Sequence, residues 1–137
     1  MGQPDMREAG ETGGKKDKSL GDRPTMALLG MIHGYWISQV VRAAADLRLA
    51  DHLAEGPLTA EEVAGLESSD PLTTGRLLRT CAALGLLTRD DDGRYAVTAT
   101  GALLQSGVPG SLRDHALAFG APGHWLPWGQ LPGRARG

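Results

Sequence analysis

Sixteen consecutive residues, Met26 to Val41, carry no formal charge, and no other feature constrains the fold as much. A membrane span needs about 20 apolar residues and accommodates polar groups badly. His33, Ser38, Gln39 and two glycines interrupt this run, so it predicts a water-soluble helix and no membrane partner. At helical spacing, Leu29, Ile32, Trp36 and Val40 share one face, while Leu28, Met31 and Tyr35 share its neighbour. A helix that is apolar nearly all round is covered on more than one side. A domain of this size covers one side, and a second copy of the chain covers the other most economically. The sequence therefore predicts a homodimer built through Leu28, Leu29, Met31, Ile32, Tyr35 and Trp36. His33, inside the run, is expected to be a hydrogen-bonded core histidine.

Residues 1–25 have the opposite character, with ten charged residues, five glycines and no aromatic side chain. Such a stretch buries too little apolar surface to offset its ordering entropy and is expected to be a disordered tail. No apolar run follows Met1 and acidic residues are frequent, which speaks against secretory or transit peptides. Gly14-Lys15-Lys16 superficially suggests a phosphate loop. That loop needs glycine at Ala9, Ser or Thr at Lys16 and a strand before it, so the match is rejected. A single cysteine, Cys81, excludes a disulfide framework and fits a reducing cytoplasm.

Beyond the apolar run, Ala43 to Leu53 is helical in period and stops at Gly56-Pro57. Thr59 can cap a following helix, with Glu62 completing a reciprocal capping box and Leu58 stapling onto Val63. Asp70 and Pro71 open the next helix, which carries Leu77, Leu78, Cys81 and Leu84 on one stripe and closes at Gly85. Leu86–Arg89 and Arg94–Val97 flank Asp92-Gly93, a hairpin signal. Thr98 and Ser111 are each expected to start a further short helix. Two short helices followed at once by a hairpin make a winged helix-turn-helix. The fold class is thus mainly α, with a short β-hairpin wing and a long N-terminal dimerisation helix. The expected organisation is a tail over 1–25, the domain over 26–131 and an unstructured end over 132–137.

A winged helix can read DNA, and Arg76 and Arg79 would then face the bases. Between Met26 and Trp125, however, seven basic residues face eleven acidic ones, and Asp90, Asp91 and Asp92 crown the wing. Phosphate neutralisation supplies much of DNA affinity, so no nucleic-acid partner is expected. A transcriptional regulator is kept as the alternative, as is a small-molecule binding protein. His33, His52, His115 and His124 show no metal-ligand spacing, and Asp90–Gly93 lacks the later glutamate of a calcium loop, so no metal site is expected. His52, near a helix end, suits the dipole there as a cation. Cys81, on the buried stripe, is a packing residue.

Three segments carry a family resemblance. Leu47–Leu53 with Leu58–Ala64, then Arg76–Leu87, then Tyr95–Gly101 resemble, in order and spacing, the N-terminal domain of S-adenosylmethionine-dependent small-molecule O-methyltransferases. The likeness leans to the bacterial antibiotic- and polyketide-tailoring branch and extends over roughly residues 26–131.

The resemblance implies that the winged helix dimerises and helps roof a partner's substrate pocket. It assigns Phe119, Trp125 and Trp128 to a pocket for an aromatic or polyketide acceptor. The family's cofactor domain and general base would lie beyond Gly137, so no catalytic or cofactor-binding residue is assigned. No glycine-rich turn follows a strand within the 137 residues. The chain alone is therefore expected to bind no S-adenosylmethionine and to be inactive. A truncated enzyme, a relic, or half of a split enzyme with a separately encoded methyltransferase domain would each look like this.

Overall fold

The computed structural model describes residues 18–137, with side chains from residue 22 onward. Most of the expected tail lies outside the described residues. The chain divides into two compact units, residues 1–34 and 35–137.

The described part of the first unit is the opening of helix α1 (Lys18–Asp46). The helix therefore starts before the tail boundary drawn at residue 25, and Pro24 lies inside it. Met26, Ala27, Leu28 and Leu29 are good helix formers, and they carry the helix back past the missing proline N–H. Apolar side chains are spread round α1 instead of being gathered on one stripe. Met26, Leu28, Leu29, Met31 and Ile32 are all exposed. So is His33, which has no hydrogen-bond partner among the described residues; it is not the core histidine expected from its apolar neighbours.

In the second unit α1 becomes a core helix. Ala44 and Ala45 are buried, with Val40 and Val41 packed against the same cluster. The helical period seen from Ala43 to Leu53 is broken in space. Arg48 takes a left-handed conformation (φ 52°) and separates α1 from α2 (Leu49–Leu53), while its Nε lies 3.4 Å from Glu67 Oε1. Helices α3 (Ala60–Glu67) and α4 (Pro71–Ala83) form the helix-turn-helix. Thr59 caps α3 by accepting the Glu62 N–H at 3.2 Å. The reciprocal half of the box differs from expectation, because the Glu62 carboxylate accepts from the Thr59 hydroxyl. Asp70 caps α4 as expected, accepting both the N–H and the hydroxyl of Thr73, and these bonds hold its carboxyl below the usual carboxylate range.

Strands β2 (Leu87–Arg89) and β3 (Arg94–Val97) form the wing, paired antiparallel with Leu87 opposite Val97. Their loop is Asp90–Gly93. Asp90 Oδ1 accepts the N–H groups of Asp92 and Arg94, and Gly93 supplies the positive φ of 75°. A third strand, β1 (Leu58–Thr59), adds to the free edge of β3 with Leu58 opposite Tyr95. Two residues are too few to show a strand period, so this edge escaped the sequence. The hydrophobic core lies between these elements, around Leu49, Val63, Leu78 and Cys81, all fully buried. Each such side chain contributes on the order of 2 kcal/mol.

The chain then runs through α5 (Ala99–Ala102), capped by Thr98, to α6 (Arg113–Phe119). Helix α6 begins two residues after Ser111, whose hydroxyl donates to the Gln105 carbonyl (2.6 Å) and only loosely accepts the Arg113 N–H (3.3 Å). Helix α7 (Pro122–Trp125), a 3-10 turn (Leu126–Gln130) and α8 (Leu131–Arg136) complete the unit. The end expected to be unstructured is thus helical as far as Arg136; Pro132 in the first turn fixes its φ for the helix.

One polar clasp joins α2 to the loop after α5. Asp51 accepts the Ser106 N–H at 2.8 Å and the Ser106 hydroxyl at 2.7 Å. Burial pushes the Asp51 carboxyl up, but the Ser106 bonds and the Arg113 charge outweigh it, and the pKa falls below the ordinary value. A lowered carboxylate pKa gives stability that is complete above the unfolded-state value and is lost as pH falls through the folded one. Urea midpoints at about pH 6 and about pH 3 test this. The drop between them should be smaller in Asp51→Asn than in the wild type, and equal drops would contradict the clasp.

Candidate functional site

The chemistry-bearing surface of the second unit lies where the last turns of α1 meet α6 and α7. An open cavity of about 570 Å³ is lined there by Tyr35, Ser38, Gln39, Phe119, His124, Trp125 and Trp128. Its local origin is clear. His115 and Phe119 are four residues apart on α6, so their rings stack, with centroids 4.2 Å apart. The chain turns at Gly120, Ala121 and Pro122, and this brings the His124 ring against Phe119 as well, with centroids 4.7 Å apart. Gly120 is buried against Arg42, and a Cβ there would stand 2.6 Å from Arg42 Cβ. The Gln39 amide Nε2 donates to the Gly120 carbonyl at 3.0 Å.

The structure thus brings together Phe119, Trp125 and Trp128, the three pocket candidates from the sequence. It adds Ser38, Gln39, His124 and the interface candidate Tyr35. The four-residue spacing of His115 and Phe119 is a local signal that could have flagged the stacked rings. The contact of Gln39 with Gly120 joins residues 81 positions apart and leaves no local signal.

The interface candidates lie in solvent. In the first unit Met31 is 77% and Ile32 56% exposed. At the start of the second unit Tyr35 is 74% exposed and Trp36 38%. Side chains of this kind are normally removed from water by something, and larger exposed apolar patches mark contact surfaces.

The helix-turn-helix face has a different balance. Arg76 and Arg79 are exposed on α4. A second open cavity, about 540 Å³, runs between α4 and the wing, where Arg79 and Arg89 share the walls with Glu61 and Asp92. Arg89 lies over the Tyr95 ring at 5.8 Å, and Arg94 pairs with Glu62 at 3.4 Å. Cations on this face are matched by anions, which leaves little positive field to attract phosphate.

Two further residues have structural roles. His52 Nε2 lies 2.6 Å from Glu67 Oε1, a pairing of α2 with α3 that the sequence position did not announce. Cys81 is 1% exposed, and burial pushes its thiol up to about 11. Because the thiolate is the reactive form, Cys81 should stay unmodified by an aromatic disulfide reagent near neutral pH and react promptly in strong denaturant. Rapid labelling of the native protein would contradict its place in the core. Among the described residues no group of three His, Cys, Asp or Glu side chains is placed to hold a metal ion. Among them, too, no helix is long and apolar enough to cross a membrane.

The architecture is that of a winged helix preceded by a long apolar helix and followed by an aromatic cavity, a mainly helical domain with a small antiparallel sheet. Residues 29–107 match the O-methyltransferase dimerisation domain, more than half of the chain, and the chain belongs to that family. It is 40% identical over 93 residues to a phenazine O-methyltransferase of Lysobacter antibioticus, covering 68% of this chain and 27% of the relative. It is 34% identical over 105 residues to a 3-amino-4-hydroxybenzoate 4-O-methyltransferase of Streptomyces cremeus, covering 76% and 28%. The crystal structure of human N-acetylserotonin methyltransferase in complex with SAM superposes with a TM-score of 0.77 at 30% identity, over 84% of this chain and 35% of the other. The chain spans about a quarter of the length of the curated relatives it matches.

Proposed function

We propose that these residues form the homodimerisation module of a small-molecule O-methyltransferase and supply one wall of its acceptor pocket. The carrying observation is the apolar run of α1, which matches a dimerisation family yet leaves Met31, Ile32 and Tyr35 in solvent within one chain. Burying these side chains in a second copy is the simplest way to remove them from water. The aromatic cavity supports the second half of the reading, because Phe119, Trp125 and Trp128 offer flat surfaces for an aromatic or polyketide acceptor.

Methyl transfer needs a cofactor held beside the acceptor oxygen and a base for its proton. The described sheet has strands of two, three and four residues, all antiparallel, and none leads into the glycine-rich turn that cradles such a cofactor. The residues present do not fit S-adenosylmethionine, and no step of the reaction is assigned to them. On this reading the cofactor is held by a further domain, adjoining or separately encoded. Duplex DNA is not a partner, given the matched charges around α4 and the wing.

Light scattering coupled to size exclusion should give twice the chain mass at micromolar concentration, and calorimetry with S-adenosylmethionine alone should give no binding heat. A folded monomer would overturn the first half. Micromolar cofactor affinity of this chain alone would overturn the assignment of the cofactor to a further domain.

A further inference from the structure

We propose that Gln39 sets the chemical specificity of the aromatic cavity, presenting a fixed acceptor oxygen to a hydroxyl on a flat ring ligand. The inference rests on the reading of that cavity as an acceptor pocket and adds a residue and a recognition rule to it.

The starting point is the amide itself. Gln39 is half-buried on α1 and lines the cavity. One end of its amide is committed, since Nε2 donates to the Gly120 carbonyl at 3.0 Å. A carbonyl only accepts, so the NH₂ end of the amide must face it, and the assignment of nitrogen and oxygen follows. Oε1 has no hydrogen-bond partner among the described residues. Gly120 itself cannot retreat easily, because it is buried and packed against the Arg42 side chain. The amide is therefore anchored at its donor end, and its acceptor end is the part left for a ligand.

The surroundings decide what kind of ligand profits. Tyr35, Phe119, Trp125 and Trp128 make most of the lining aromatic, and flat walls of this kind favour a planar guest. A guest that covers this water-accessible acceptor displaces its water, so a guest that supplies a donor in exchange is preferred over one that cannot. The matched class is a fused aromatic with a free hydroxyl. Its methyl ether has the same flat surface but no proton to give. A cavity with this rule binds the unmethylated compound more tightly than the methylated one.

Naphthol and its methyl ether are suitable probes, titrated against the full chain by calorimetry and by the quenching of Trp125 and Trp128 fluorescence. The wild type should prefer naphthol by about tenfold, the worth of one net hydrogen bond in a partly enclosed site. Gln39→Met should bind both probes equally. Because that variant also loses the bond to Gly120, Gln39→Lys is the companion: its ammonium can still donate to the carbonyl but offers no acceptor, and it too should bind the probes equally. Ser38→Ala should keep the preference. If the wild type binds both probes with equal affinity, the pocket reading stands and the role of Gln39 is overturned. If it binds neither, both fall together. A preference that survives in Gln39→Met and Gln39→Lys, or disappears in Ser38→Ala, also overturns the assignment.

Discussion

Replacing Ile32 with aspartate is expected to convert the protein from dimer to monomer without unfolding it. Ile32 is 56% exposed within one chain, so a charge there meets water in the monomer and the core around Leu49 and Leu78 is untouched. In a dimer built on α1 the same carboxylate would be buried without a partner. Desolvating an unpaired charge costs several kcal/mol even after relaxation, and two symmetry-related copies bear it. Roughly a hundredfold or greater weakening of self-association follows, since about 1.4 kcal/mol corresponds to a factor of ten. Sedimentation equilibrium of the two proteins, with circular dichroism to confirm the fold, measures the change. An Ile32→Asp protein that sediments as an unaltered dimer would place the interface elsewhere.

The second large effect is expected at Gly101, and it acts on the fold itself. Gly101 is buried in α5, and a Cβ at that position would stand 1.9 Å from the Leu86 carbonyl oxygen. That oxygen cannot move aside freely. It accepts the Thr98 N–H at 3.1 Å and the Thr98 hydroxyl at 3.0 Å, and the same hydroxyl donates to the Gly85 carbonyl at 2.7 Å. Thr98 Oγ1 in turn caps α5 through the Gly101 N–H. One alanine methyl therefore opens the corner that ties the end of α4 and the wing to α5. Overpacking typically costs 1–3 kcal/mol, and the backbone obstacle puts Gly101→Ala at about 3 kcal/mol or more. Against a total of roughly 5–15 kcal/mol, that is a large share. A urea titration followed by circular dichroism reads it directly. A midpoint within error of the wild type would mean that the corner is looser than described.

The residues show why some of this was legible and some was not. Capping and turn chemistry act over three or four residues, so Thr59, Asp70, Thr98 and the Asp90–Gly93 loop announced helices α3, α4 and α5 and the wing. The buried stripe Leu78 and Cys81 followed from helical period alone. Sequence reasoning failed where one local rule met a stronger competitor. The tail was expected to reach residue 25, yet the helix-forming run after it carries α1 back to Lys18. The period from Ala43 to Leu53 looked continuous, yet Arg48 turns left-handed beside Glu67. Strand β1 was too short to have a period, and His33, in apolar company, lies in solvent. At the cavity, Phe119, Trp125 and Trp128 stood out by residue type, whereas Gln39 and His124 become relevant only once the chain has folded back.

That folding back has a kinetic consequence. The tip of the wing closes through near neighbours such as Asp90 and Arg94, which costs little chain entropy and proceeds quickly. The bonds that build the cavity span far longer loops: Gln39 reaches Gly120 across 81 residues, and Arg113 Nε reaches the Ala45 carbonyl across 68. Contacts of that span cost more loop entropy to close and are expected to form late. Amide exchange should accordingly be faster through α7, which buries no residue, than in α4, whose Thr74, Leu78 and Cys81 lie in the core.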